Sequence, residues 1–93
     1  MSQKLTDAQI EKEISRFPGW SSKGDTIQKS FVLDDHIVAI GFINRIAMVA
    51  EVMNHHPEIR MVYNKVDITL STHDAGGVTK LDLELAQKID KYF

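Results

Sequence analysis

Three of the four histidines in this chain fall in two short stretches, Glu51-Val52-Met53-Asn54-His55-His56-Pro57 and Ser71-Thr72-His73-Asp74. Histidine is the side chain whose ordinary titration range straddles neutral pH, so a group of imidazoles is suited to giving and taking protons. Glu51 and His55 stand four residues apart and would be neighbours on a helix. Pro57 disfavours helical geometry at His56 and is expected to stop the helix there. An unbroken helix would turn adjacent side chains about 100° apart; the break lets His55 and His56 enter one cleft. His73 follows an alternating strand. If that strand end lies over the helix end, three imidazoles converge beside a carboxylate and several small hydroxyls.

Each histidine also has a plain structural reading. His55 or His56 could cap the helix and complement its dipole. His73 could decorate a loop, and His36 reads as a first-turn surface residue. The combination, not any single residue, favours a site. Metal binding is the weaker alternative. Three histidines can hold zinc, but adjacent histidines lack the usual i, i+4 ligand spacing and no H-E-x-x-H occurs. A triad from Ser71, a histidine and Asp74 lacks a nucleophile elbow. Gly76-Gly77 has neither a G-x-G-x-x-G pattern nor a phosphate-loop lysine and reads as a turn.

Composition removes further classes. The chain has no cysteine, which excludes disulfide scaffolds, thiolate zinc sites and cysteine nucleophiles. Net charge is -2 and the 11 Lys and Arg are scattered, so nucleic-acid binding by phosphate neutralisation is not expected. Residues 1–7 have no apolar core and do not read as a secretory signal. The longest apolar run, residues 37–43, is far short of the ~20 needed to cross a bilayer. A soluble protein without membrane association, acting in the cytoplasm, is expected.

A length of 93 residues fits one domain, 1–93. Thr6 with Gln9 forms a capping box for a first helix, Leu5 can staple onto Ile10, and Ile10, Ile14 and Phe17 make one stripe. Pro18-Gly19 ends it. Trp20 to Ser22 can pair briefly across a Lys23-Gly24-Asp25 turn with a strand over 26–33. There Ile27, Phe31 and Leu33 share a face, and Lys29 interrupts it, as expected near a sheet edge. Asp34-Asp35 supply the cap for a second helix over about 36–54. It carries two apolar stripes, Phe42, Ile46, Val49, Met53 and Ala39, Ile43, Ala47, Ala50. A helix this apolar around its girth is buried on more than one side. One sheet covers one side only, so a second copy of the chain is expected on the other. Strands over 58–64 and 65–72 follow, with a tight connection at Asn64-Lys65 and Tyr63 packing beside Met61 and Ile59. Thr79-x-x-Asp82 caps a last helix whose Leu81, Leu85 and Ile89 point inward, Asp82 acting as the capping acid. The fold class is α+β, ordered α-β-β-α-β-β-α, a four-stranded antiparallel sheet with three helices on one face.

The segments His55-His56-Pro57-Glu58, Val62-Tyr63-Asn64-Lys65-Val66 and Ile68-Thr69-Leu70-Ser71-Thr72-His73 resemble the signature of the pterin-4a-carbinolamine dehydratases. The dimerisation cofactor of hepatocyte nuclear factor belongs to the same family. The similarity extends through Gly41 to Ala47, Ala50-Glu51 and Phe17 to Trp20, and so over nearly the whole chain. It implies a homodimer or homotetramer and a lyase that dehydrates 4a-hydroxytetrahydrobiopterin, or a related reduced pterin, to the quinonoid dihydropterin. Recycling of the pterin after aromatic hydroxylation follows from it, with no metal or organic cofactor. By position, His55 and His73 match the general acid/base histidines and His56 the one that mainly holds substrate. Glu51 matches a nearby carboxylate, and Asn54, Pro57, Ser71, Thr72 and Asp74 fall in substrate-lining segments. One departure is Ile59, where many members carry tryptophan. The rival reading is a non-catalytic dimerisation or coregulator module docking through the apolar second helix.

Overall fold

The computed structural model describes residues 3–93. Helix α1 is Asp7–Ile14, followed by β1 (Ser21–Lys23), β2 (Thr26–Val32), α2 (His36–Met53), β3 (Glu58–Val62), β4 (Lys65–Leu70), a 3-10 turn at His73–Ala75 and α3 (Lys80–Tyr92). The strands form one antiparallel sheet in the order β1-β2-β4-β3. Register follows from the alternating pattern. Ile27 stands opposite Leu70, Phe31 opposite Val66 and Ile59 opposite Ile68, so the inward sets align across three strands. Gln28, Ser30, Asp67, Thr69, Glu58 and Arg60 occupy the other face, which no helix covers. The expected α-β-β-α-β-β-α order and the segregation of the helices to one face are both present.

The local signals act as read. Thr6 and Gln9 close the capping box of α1, and Asp35 Oδ1 accepts from Val38 N at 2.8 Å. The core joins Ile10 and Ile14 of α1 and the inward strand residues to Phe42, Ile46 and Val49 of α2 and Leu83, Leu85, Ala86 and Ile89 of α3. Leu81 is only half-buried. Phe93 lies on Phe31 and Phe42, with ring centroids 5.0 and 5.9 Å away.

The expectation for Lys29 holds, while those for Tyr63 and the end of α2 change. Lys29 lies just past the end of β1, which pairs only with Thr26 to Gln28, so one side of β2 is open there, as expected near an edge. Its ammonium is accommodated on the inner face by Asp90 of α3 at 2.8 Å and by the Pro18 carbonyl at 2.9 Å. The Trp20 indole also donates to Asp90, at 3.1 Å. Glycine at 19 admits the lysine stem: a Cβ there would stand 2.8 Å from Lys29 Cε. Asp90→Ala removes the partner of two half-buried donors and is expected to cost about 2 kcal/mol, read as a lower urea midpoint at unchanged slope.

Tyr63 does not pack beside Met61. Val62 pairs with Lys65, which leaves Tyr63-Asn64 as a two-residue turn with Tyr63 at φ 54° and largely exposed. Asn64 and His36 hold that turn: Asn64 Nδ2 donates to the Leu33 carbonyl at 2.9 Å, and His36 Nδ1 lies 2.8 Å from the Tyr63 carbonyl. Helix α2, finally, stops before the proline can act. Asn54 takes the left-handed conformation (φ 51°, ψ 43°) as its C-cap, which asparagine tolerates better than most side chains.

Helix α2 buries Ala39, Phe42, Ile46, Val49 and Ala50 and leaves its opposite face open. Ile37 is 81% exposed, Met48 63% and Val52 84%. By length and composition α2 is the one helix among the described residues that could cross a membrane. Its inner stripe, however, is part of the core.

Candidate active site

The left-handed cap at Asn54 turns the chain sharply at the end of α2, and the extended residues that follow enter β3. His55 and His56 occupy this corner. Beside it, β4 ends at Leu70, and Ser71 to Asp74 lead into the 3-10 turn closed by Gly76 (φ 74°). Ser71 Oγ donates to the Asp25 carbonyl at 2.9 Å, which ties this end of β4 to the β1–β2 turn. The two corners face each other across an open hollow of about 230 Å³, lined by Asn54, His55, His56, Ser71, Thr72, His73 and Asp74. A neighbouring hollow of about 280 Å³ shares His56, Ser71 and His73 and continues over Asp25, Thr26, Glu58 and Thr69. The three imidazoles named from sequence are thus brought together, and His36 lies apart beside the Tyr63 turn. His73 sits on the 3-10 turn just past the strand and is exposed.

The carboxylates are distributed differently from the sequence expectation. Glu51 does not partner His55; its Oε1 lies 2.5 Å from His56 Nε2, on the open surface. An exposed pair of this kind orients the ring more than it stabilises the fold. Neither Glu51 nor Pro57 lines either hollow. Pro57 shapes the chain beyond the histidines, and Glu51 reaches the site only through His56.

His55 is held by Asp82 instead. Its Nε2 lies 2.5 Å from Asp82 Oδ1, with the imidazole 10% exposed and the carboxyl fully buried. Asp82 Oδ2 accepts from Thr79 N at 2.9 Å and from Thr72 Oγ1 at 2.8 Å. Asp82 is therefore the acceptor for donors on both its oxygens, so His55 Nε2 carries the proton between them. His55 Nδ1 has no partner among the described residues and is not sealed from solvent. It is the nitrogen left for the hollow. The sequence pattern makes Asp82 a capping acid alone, and it does cap α3. The contact that makes it part of the site joins residues 27 positions apart. The available signal was a second carboxylate oxygen, unused by the cap, on a helix that starts just after the His73 segment. Thr72, named as substrate-lining, also turns its hydroxyl toward Asp82.

No set of three His, Asp or Glu side chains among the described residues is arranged to hold a metal ion. Chemically, the hollow offers two imidazoles anchored at Nε2 by carboxylates, a third on the exposed 3-10 turn, and a rim of hydroxyl and amide groups. Such a set can protonate one substrate atom while deprotonating another.

The sequence profile of the pterin 4 alpha carbinolamine dehydratases matches residues 3–92. The chain belongs to that family. A Sulfurisphaera tokodaii protein provisionally named as a pterin-4-alpha-carbinolamine dehydratase is 49% identical over 88 residues, 95% of each chain. A similarly named Bradyrhizobium diazoefficiens protein is 48% identical over 92 residues, 97% of this chain and 92% of its own. Among solved structures, a transcriptional coactivator/pterin dehydratase from Brucella melitensis superposes with a TM-score of 0.94 at 36% identity, covering 97% of this chain and 98% of its own. The family is named for dehydration of a pterin carbinolamine.

Proposed function

We propose that the chain dehydrates 4a-hydroxytetrahydrobiopterin, or a closely related reduced pterin, to the quinonoid dihydropterin by histidine general acid/base catalysis, and so recycles the pterin cofactor in the cytoplasm. The observation that carries the reading is the single hollow lined by all three imidazoles, in a chain whose family is named for this reaction.

The chemistry sets what the residues must do. Hydroxyl and amine share one carbon, C4a, and hydroxide is a poor leaving group. One imidazolium gives its proton to the hydroxyl oxygen as the C4a–O bond breaks. The N5 lone pair forms the C4a=N5 bond, and a second imidazole takes the N5 proton. Water leaves, and the two histidines together end with the protons they began with. Proton transfer of this kind contributes about 10²–10⁴-fold, which suits a reaction that also proceeds unaided. His55, fixed by Asp82 with Nδ1 left for the hollow, and His73, on the opposite corner, are assigned the acid and base roles. His56 holds the pterin, with Asn54, Ser71 and Asp74 on the rim. Stopped-flow absorbance with synthetic carbinolamine tests the assignment; a decay no faster than in buffer would refute it.

A homo-oligomer is part of the proposal, supported by the uncovered apolar face of α2. Introducing Met48→Lys with Val52→Lys is expected to lower the mass measured by light scattering to that of one chain and leave the monomer folded by circular dichroism. An unchanged mass would remove α2 from the interface.

The second reading is a coregulator module that works through the same face. The Brucella melitensis protein is called both a transcriptional coactivator and a pterin dehydratase, so the two roles need not exclude each other.

A further inference from the structure

We infer that Thr72 and Thr79 are positioning residues that form a one-way hydrogen-bond chain from the start of α3 to Asp82, and that by holding this carboxylate they fix which nitrogen of His55 meets the substrate. The inference rests on the proposed dehydration but makes a separate structural claim. Leu81 N–H donates to Thr79 Oγ1 at 3.2 Å. Thr79 Oγ1 and Thr72 Oγ1 lie 2.8 Å apart, where either could be the donor. The direction is settled one step on. Thr72 lies 2.8 Å from Asp82 Oδ2, which has no proton to offer while it also accepts from Thr79 N–H. Thr72 must then donate to Asp82, and Thr79 must donate to Thr72. Asp82 Oδ1 receives the His55 Nε2 proton.

The donors from α3 all point toward Asp82, and the imidazole donates to the same carboxylate from the other side. Aligned hydrogen bonds polarise one another in a buried setting, and Thr79 and Asp82 are both fully buried. With Oδ2 held by two donors, the carboxylate is fixed in rotation and Oδ1 is the oxygen that faces His55. Neutral His55 is thereby held as the Nε2–H tautomer with the Nδ1 lone pair toward the hollow. The tautomer of an imidazole is set by the bond its other nitrogen makes. Thr72 acts on the reaction only through this chain, although it borders the hollow.

The test compares the unsubstituted protein with Thr72→Val and Thr72→Ser by two readouts. Long-range nitrogen–proton correlation spectra report the His55 tautomer, and stopped-flow dehydration gives kcat and KM. Unsubstituted protein is expected to show neutral His55 as the Nε2–H form. Thr72→Val should populate the Nδ1–H form and lower kcat about tenfold or more, the scale of a hydrogen bond to a charged group, with KM changed less than about twofold. Thr72→Ser restores the hydroxyl and should recover both. An Nδ1–H tautomer in the unsubstituted protein overturns the inference, even if Thr72→Val fails to fold. So does a Thr72→Val protein with native tautomer and native kcat, or a Thr72→Ser protein as impaired as Thr72→Val. A protein with the expected tautomers but no dehydration in any form would overturn the proposed function and leave the chain standing.

Discussion

Replacing His55 and His73 together with alanine is expected to lower dehydration by about 10²–10⁴-fold, to the level of the unaided reaction, without unfolding the protein. The two side chains lie on opposite corners of the hollow, on segments tied down by contacts other than their own. The Asn54 cap fixes one corner and the Thr72–Gly77 pairing the other. Neither imidazole belongs to the core cluster. The single variants should each retain part of the rate, because the remaining histidine and water can still serve one of the two proton transfers. His56→Ala should act mainly on KM, since His56 is anchored on the open surface by Glu51. Comparing kcat and KM across the three single variants and the double variant separates proton transfer from binding. A double variant at full kcat would remove histidine catalysis from the account.

Asp82→Asn has the second large effect. Thr79 N–H and Thr72 O–H both need an oxygen at the Oδ2 position. The amide nitrogen must then face His55 Nε2, setting N–H against N–H. His55 escapes by moving its proton to Nδ1, the nitrogen that should receive one from substrate. Substitution of the aspartate behind a catalytic histidine in the serine-protease triad costs orders of magnitude for this reason, with the geometry intact. About a hundredfold or greater loss of kcat is expected here. Stability should fall by only about 1–2 kcal/mol, because the cap of α3 survives. Thermal melting beside stopped-flow kinetics checks both halves. A large drop in melting temperature with native kcat would make Asp82 a cap and nothing more.

Much of this was legible in the sequence, for local reasons. Capping boxes at Thr6 and Thr79, alternation along 26–33 and 65–70, and the turn residues between them each depend on neighbours within four positions. The order and facing of the elements follow from such signals. The convergence of His55, His56 and His73 was also readable, as two element ends that had to meet. The partner of Lys29 was not: Asp90 lies on α3, 61 positions away in sequence. The exchange of carboxylates has the same origin. Spacing of four favoured Glu51 with His55, but the left-handed turn at Asn54 rotates His55 off the helical face and toward α3. Proline is the stronger sequence signal for a helix stop, and it points to His56. The asparagine ahead of the two histidines reaches a permitted left-handed well first. Tyr63 broke its own alternation because the two-residue turn consumed it.

The uncovered face of α2 is the surface on which the proposed homo-oligomer rests. Its exposed Ile37, Met48 and Val52 lie along a helix whose other side completes the core. Covering that face would remove apolar surface from water, and none of these three side chains lines the histidine hollow. The proposed assembly and the proposed dehydration are therefore separable by substitution.

Mixing the protein with freshly generated 4a-hydroxytetrahydropterin and following quinonoid product by stopped-flow absorbance bears on the whole account at once. Decay should accelerate in proportion to protein concentration, and the acceleration should vanish for the His55, His73 double variant. Product appearing at the buffer rate at every protein concentration would mean that three imidazoles gathered around one hollow do not eliminate water from a pterin.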